Sequence, residues 1–291
     1  MKPIRPRRSA LYVPGSNLRA MAKAPTLGAD VVIFDLEDAV APSEKDAARS
    51  HVVEAVGALR QAGTQAEIVV RANGLDTPWI EADLAAIGAA LPDALLLPKI
   101  SRASDLARVR AMIAADMALP LWAMVETPRA VLGPLEIAEA QDDRLPLTVL
   151  VLGLNDLARE TGTLQLPGRA PMLPWMMNAL AAARVAGIEI LDGVHNDIAD
   201  TEGFAAECLQ ARQCGFDGKT VIHPAQIAGA NAAFAPDAEE LAWANRIAFV
   251  FDAAENADKG VVRVEGRMVE RLHADMAKRL LARAVAIAAR G

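Results

Sequence analysis

The stretch LTVLVLGLNDL, residues 147–157, decides the fold. From Thr148 to Leu152 it shows no polar/apolar alternation, so both faces of the strand are buried, as in a parallel sheet. It then ends abruptly in Asn155 and Asp156. The same pattern recurs along the chain. VVIFDLEDAV (31–40) ends in Asp35, Glu37 and Asp38, and EIVVRANG (67–74) in Arg71 and Asn73. ALLLPKI (94–100) ends in Lys99, and LWAMVETP (121–128) in Glu126 and Thr127.

The same criterion places strands at Ala10–Val13, Val31–Leu36, Glu67–Arg71, Ala94–Lys99, Leu121–Glu126, Thr148–Leu152, Glu189–Asp192 and Lys219–His223. Ala-rich amphipathic stretches separate them. Helix starts are expected at Ser43, at Ser104-Asp105 and at Asp200-Thr201. Strands alternating with helices, recurring roughly every 20 to 40 residues, predict a (β/α)8 TIM barrel over residues 1–228. An open doubly wound sheet shares this rhythm but normally carries a Gly-rich nucleotide turn, and no GxGxxG or GxxxxGK occurs here. Residues 229–291 form a C-terminal extension. A long helix is expected over 236–255, then a hairpin turning at Glu265-Gly266. The last helix places Leu272, Met276, Leu280, Ala284 and Ile287 on one face, a stripe that must pack on its own barrel or on a neighbouring subunit.

Composition narrows the function. The 291 residues carry a formal charge of −7 and are 53% hydrophobic but only 4% aromatic, so the core is aliphatic and no basic face for nucleic acid is implied. Cys208 and Cys214 are not spaced for zinc or a disulfide framework. Without an apolar leader or a span of about 20 apolar residues, a cytoplasmic protein that crosses no membrane is expected. Arg5, Arg7 and Arg8 form a local basic cluster with two open readings, a contact to substrate phosphates or a solvated arm.

In a parallel barrel the C-terminal strand ends converge on one mouth, where active sites form. Glu126 and Asp156 close consecutive strands. Two carboxylates at one point repel unless a hard cation such as Mg²⁺ joins them; the competing reading is that each caps its following helix. Arg71 follows a buried strand and needs anions, for which Glu37 and Asp38 lie close enough in such a barrel, either to hold a catalytic guanidinium or as a purely structural bridge. Lys99 raises imine chemistry, yet among acids it keeps its proton. His195 and His223 read as rim residues.

RSALYVPGSN, FDLEDAV with PSEKDAAR, VVRANG, LLPKI, MVETPRAV, LGLNDLA and GFDGKTVIHPAQI occur in that order over residues 8–228. Together they resemble the citrate lyase β-subunit-like CoA-ester lyases of the HpcH/HpaI aldolase/citrate lyase superfamily, which include malyl-, citramalyl- and citryl-CoA lyases. The resemblance implies Mg²⁺ held by Glu126 and Asp156, and a 2-oxo acid whose carboxylate meets the backbone amides of Gly153, Leu154, Asn155 and Asp156. It implies Arg71 as the substrate arginine oriented by Glu37 and Asp38, and a CoA side lined by Pro14, Gly15 and Ser16. It also implies a homotrimer or larger homo-oligomer in which the C-terminal segment covers a neighbour's site. The family's segment G-x-M-[IV]-D reads GRMVE here, so Glu270 stands where an acid/base Asp is usual. The activity implied is Mg²⁺-dependent C–C cleavage, or condensation, of a 3-hydroxyacyl-CoA. The alternatives are a CoA-independent 2-oxo-acid aldolase, the citryl-cleaving β chain of a multisubunit citrate lyase, and a metabolite sensor.

Overall fold

The structure, a computed structural model, describes residues 5–115 and 117–290. It forms two compact units, Arg7–Phe234 and a smaller one built on residues 235–290. In the first, β1 (Ser9–Pro14), β2 (Val31–Asp35), β3 (Glu67–Arg71), β4 (Ala94–Leu97), β5 (Leu121–Val125), β6 (Leu147–Leu152), β7 (Glu189–Asp192) and β8 (Gly218–Val221) pair in sequence order. β1 pairs parallel with β8, Ala10 against Thr220, and the barrel closes. The outer helices are α1 (Leu18–Lys23), α2 (Lys45–Gln61), α3 (Ile80–Ala90), α4 (Ala103–Met112), α5 (Pro128–Leu132), α6 (Pro134–Ala138), α7 (Leu154–Thr161), α8 (Leu173–Ala186), α9 (Thr201–Cys214) and α10 (Ile227–Ala233). The α9 start falls as the sequence requires, with Asp200 accepting the Gly203 amide. Ser43 instead lies inside a 3₁₀ turn, Pro42–Glu44, and the residue that precedes α2, Glu44, makes no capping bond with its side chain. Among the described residues no helix is long and apolar enough to cross a membrane.

The period of two along each strand sorts side chains between barrel interior and helix shell. Val32 and Phe34 join the large outer core, whereas Val31 and Ile33 join Val69, Leu96, Trp122, Met124 and Val151 inside. Continuing the inward parity upward reaches Asp35, Arg71 and Glu126. Continuing it downward reaches Glu67 and Glu189. There Arg7 closes the barrel floor: Nε and Nη2 donate to Glu67 at 2.6 and 2.8 Å, Nη1 to Glu189 at 2.7 Å, and the guanidinium lies 5.2 Å from the Trp122 ring centre. Arg8 is paired with Asp30. Arg7 and Arg8 are thus structural ion pairs at the N-terminal end of the barrel, neither a solvated arm nor a phosphate contact.

The smaller unit holds α11 (Ala238–Ile247), the antiparallel pair β9 (Val261–Val264) and β10 (Arg267–Glu270), and α12 (Arg271–Ala288). The helix expected over 236–255 stops at Ile247. Beyond it the backbone tightens to three-residue bonds (Val250 to Ile247, Asp252 to Phe249), which brings Ala248 and Phe251 into the local apolar cluster. On α12 the buried face is Ala274 and Ala277, with Leu280 and Leu281 packed beside them. Leu272 and Met276, at one end of the expected stripe, are 52% and 61% exposed in the single chain, while Leu280 of the same stripe packs in the local cluster. Small alanines let the neighbouring helix approach closely, a role larger side chains cannot fill.

Breaking one partner of a buried ion pair strands the other charges. Arg7→Met is therefore expected to lower unfolding free energy by about 3 kcal/mol, read as a shifted urea midpoint with an unchanged slope. A loss below about 1 kcal/mol, the range of surface pairs, would show that water already solvates the floor.

Candidate active site

The strand ends meet in a cavity of about 310 Å³ lined by Tyr12, Asp35, Asp38, Arg71, Met124, Glu126, residues 153–156, Val194 and Thr220. Arg71 is its buried cation. The β2/β3 register sets Asp35 directly opposite Arg71, and the two form a bidentate pair, Nε to Oδ1 and Nη2 to Oδ2, each 2.7 Å. Glu37 Oε2 lies 2.7 Å from Nη1, and Asp38 Oδ2 only 3.9 Å away with its side chain 64% exposed. The sequence reading named Glu37 and Asp38 as the orienting pair. Asp35 is the principal partner, and strand parity alone could have found it. Tyr12 stacks on the guanidinium, 4.9 Å from ring centre to Cζ.

Asp35 also accepts the amides of Glu37 and Ala39 at 2.8 and 3.1 Å, which fixes the loop after β2. Lys45, overlooked in sequence as one lysine of a charged helix start, is buried beneath that loop. Its Nζ donates to the carbonyls of Leu36 and Glu37 and to Asn73 Oδ1 at 2.6–2.7 Å. Burial pushes Asp35 up, but the Arg71 guanidinium and the two amides hold it below its ordinary value. Burial raises Glu37 to about 8 in spite of Arg71, whose charge Asp35 already neutralises, with Glu126 and Asp38 adding to the rise.

Glu126 is fully buried. Its Oε1 accepts the Lys99 amide at 2.7 Å, and its Oε2 has no hydrogen-bond partner among the described residues. Lys99 takes up the left-handed conformation, φ 57°, rare for a side chain of its size. Its Nζ contacts Asp156 Oδ2 and lies 3.6 Å from Glu126 Oε1, so one cation position already serves both carboxylates. Burial lowers the Lys99 ammonium, but Glu126 and Asp156 outweigh it and raise it overall, which argues against a neutral imine-forming lysine. Neither acid caps a helix through its side chain. Thr127 caps α5, while Asp156 sits in the first turn of α7 and pairs at Oδ1 with Arg159 at 2.6 Å. Gly153 is required at the start of α7, because any Cβ there would collide with the Glu126 side chain. The first-turn amides of α7 have no acceptor within the helix.

Glu37, Asp38, Arg71, Glu126 and residues 153–156 are therefore brought together. Glu270 lies in the other unit, at the N-terminus of α12, where its amide donates to His273 Nδ1 at 3.0 Å. His223 caps a 3₁₀ turn, its Nδ1 accepting the Ala225 amide, as a loop residue should. The acids fit a magnesium ion: two convergent carboxylates, one oxygen orphaned, beside backbone amides able to receive an anion.

Residues 8–224 match the HpcH/HpaI aldolase/citrate lyase family, and residues 170–288 match the C–C bond lyases of the TIM-barrel fold. A (3S)-malyl-CoA thioesterase of Cereibacter sphaeroides is 48% identical over 284 residues, 98% of this chain and 96% of the relative. The citrate lyase subunit beta of Escherichia coli is 34% identical, covering 96% and 94%. The crystal structure of CitE from Mycobacterium tuberculosis with magnesium, acetoacetate and coenzyme A superposes with a TM-score of 0.75 at 32% identity, over 95% of this chain and 97% of that one. A closed barrel with an acid-rich mouth and one pinned arginine defines a barrel enzyme. The chain belongs to the HpcH/HpaI aldolase/citrate lyase family.

Burial raises Glu126 from 4.5 to about 7. The folded chain then binds this proton more tightly than the unfolded one, so the group's contribution to stability falls as pH rises through that window and is flat above it. Glu126→Gln lacks the slope. Without Mg²⁺ it is expected to gain on the wild type between pH 4.5 and about 7 in urea melts; parallel curves would show that Glu126 titrates normally.

Proposed function

We propose that this chain is a magnesium-dependent enzyme of 3-hydroxyacyl-CoA thioesters of the malyl-CoA type, cleaving or forming the C–C bond between an acyl-CoA and a 2-oxo acid. The observation that carries the reading is the convergence of Glu126 and Asp156 on one cation position beside a guanidinium held rigid by Asp35. The relatives' names add the thioester and the metal. Glu126 and Asp156 would hold Mg²⁺, which when bound polarises the oxygens of the 2-oxo acid.

The chain's own residues account for the rest. The α7 first-turn amides of Leu154, Asn155 and Asp156 receive the oxo-acid carboxylate. Glu37, raised to about 8, takes the substrate's hydroxyl proton in its ionised form, a fraction that grows as pH rises towards 8. As the C–C bond breaks, its electron pair moves onto the thioester as an enolate, and Arg71 stabilises the charge on that oxygen. We assign Glu270, delivered from a neighbouring copy of the chain, as the acid/base on the acyl carbon. A homotrimer or larger homo-oligomer belongs to the same proposal.

A second reading, hydrolysis of the same thioester, is favoured by the 48% identity to a (3S)-malyl-CoA thioesterase. Both are tested by incubating the protein with Mg²⁺ and malyl-, methylmalyl-, citramalyl- and citryl-CoA while following 2-oxo acid and free thiol separately. Turnover of one of these, lost with EDTA and in Glu126→Gln, is expected. No turnover with Mg²⁺ still bound would favour the CoA-independent aldolase or the carrier-bound citrate lyase subunit.

Arg71→Lys keeps a charge but loses the fork that matches both Asp35 and an enolate oxygen. It is expected to lower kcat about 100-fold or more, as for loss of a donor to a developing oxyanion, with little change in KM. An equal rise in KM at constant kcat would make Arg71 a ground-state binding residue.

A further inference from the structure

Beside the mouth, and sharing Leu154 and Val194 with it, lies a second cavity of about 350 Å³. The two are joined by a reciprocal amide pair. Asn155, on the mouth side, donates to Asn196 at 2.9 Å and accepts from it at 2.8 Å. In the wall of the second cavity stands His195, just past the end of β7, with only 12% of its side chain exposed. Its Nδ1 lies 3.1 Å from Glu207 Oε1 on α9. Its Nε2 is buried and has no hydrogen-bond partner among the described residues. The nearest acid, Asp200 Oδ2, is 3.6 Å away, too far for a hydrogen bond, and Asp200 Oδ1 is committed to the Gly203 amide.

A carboxylate can only accept, so Glu207 places the imidazole proton on Nδ1 and leaves the lone pair on Nε2. The imidazole is held from several sides. Glu207 Oε2 is anchored by the fully buried Lys219 Nζ at 2.9 Å, and Lys219 and Arg169 share Asp192. Gln226 donates to the His195 carbonyl at 3.0 Å, and Phe204 meets the ring edge-on at 6.0 Å between centres. This is a carboxylate–imidazole pair with its basic nitrogen unspent, beside the mouth to which the proposed function assigns a thioester, and the C–C chemistry above makes no use of it.

We propose that His195 is the general base that delivers water to the thioester carbonyl of a substrate held in the mouth, with Glu207 as its positioning residue. The proposal rests on the thioester reading above. His195 Nε2 takes a proton from a water in the second cavity as the water oxygen bonds to the carbonyl carbon. The C–S bond then breaks, and the departing sulfur takes the proton from Nε2. The products are a carboxylic acid and the free CoA thiol, and no other reactant is needed.

The test is His195→Asn, whose side-chain amide can still face Glu207 but offers no basic nitrogen at the Nε2 position. With malyl-CoA and Mg²⁺, thiol release is expected to fall about 100-fold or more in kcat, the range for loss of a general base. Glyoxylate binding by calorimetry is expected to stay within about twofold, showing that the mouth and fold are intact. His195→Gln is expected to behave likewise. Thiol release within about threefold of wild type in both variants would overturn the proposal. So would a wild-type protein that releases 2-oxo acid but no thiol, with the lyase reading left standing. A wild-type protein that releases neither would overturn both.

Discussion

A guanidinium buried at the top of a barrel cannot shed its proton, and leaving it unpaired would cost several kcal/mol. Arg71 therefore has to find its carboxylate, and the β2/β3 register supplies Asp35 directly opposite. The consequence reaches beyond one bridge. The same Asp35 oxygens gather the amides of Glu37 and Ala39, and Lys45 holds that loop from below through Leu36 and Glu37. Glu37 is thus brought to the free edge of the guanidinium, and Asp38 is left facing solvent. The geometry of this half of the mouth depends on a single charge that could not be neutralised any other way.

The two ends of the barrel solve the electrostatic problem in opposite ways. At the floor, Arg7 is matched by Glu67 and Glu189 under Trp122, and Arg8 by Asp30. Charge there serves closure. At the mouth, Asp35, Glu37, Asp38, Glu126 and Asp156 outnumber Arg71 and Lys99, and burial raises Glu126 and Glu37 towards neutrality. The left-handed turn at Lys99 belongs to the same arrangement, since it aims the Lys99 amide at Glu126 while the ammonium reaches Asp156. An acid excess with an orphaned oxygen is a poor device for stability and a good one for binding a cation. This division agrees with the general habit of barrels, stability below and chemistry above.

The His195–Glu207 pair extends this division sideways. Asp192, Lys219 and Arg169 form a compensated buried network, and its role towards the second cavity is to hold Glu207 in place. Within this cluster the imidazole Nε2, in a wall adjoining the acid-rich mouth, is left without a hydrogen-bond partner among the described residues.

Much of this was legible in the chain itself. Buried runs without alternation specify parallel strands, their count specifies a barrel, and polar residues such as Asp156 after Leu152 mark which end carries the site. Those signals are local, because hydrophobic periodicity depends only on neighbours in sequence. Partner choice is not local. Adjacency of the two strand ends pointed to Glu37 and Asp38 for Arg71, whereas the residue-by-residue register between the strands selects Asp35. Arg7 and Arg8 read as a loose basic cluster until closure of the barrel placed Glu67, Glu189 and Asp30 against them. Likewise nothing near His195 in sequence singles out Glu207, which only the packing of α9 on β8 brings to its Nδ1. Local patterning along the chain specifies the strands, the barrel and the chemical character of its mouth; which charges meet is settled only on folding, because ion pairing acts through space across a curved sheet whose register no single segment encodes.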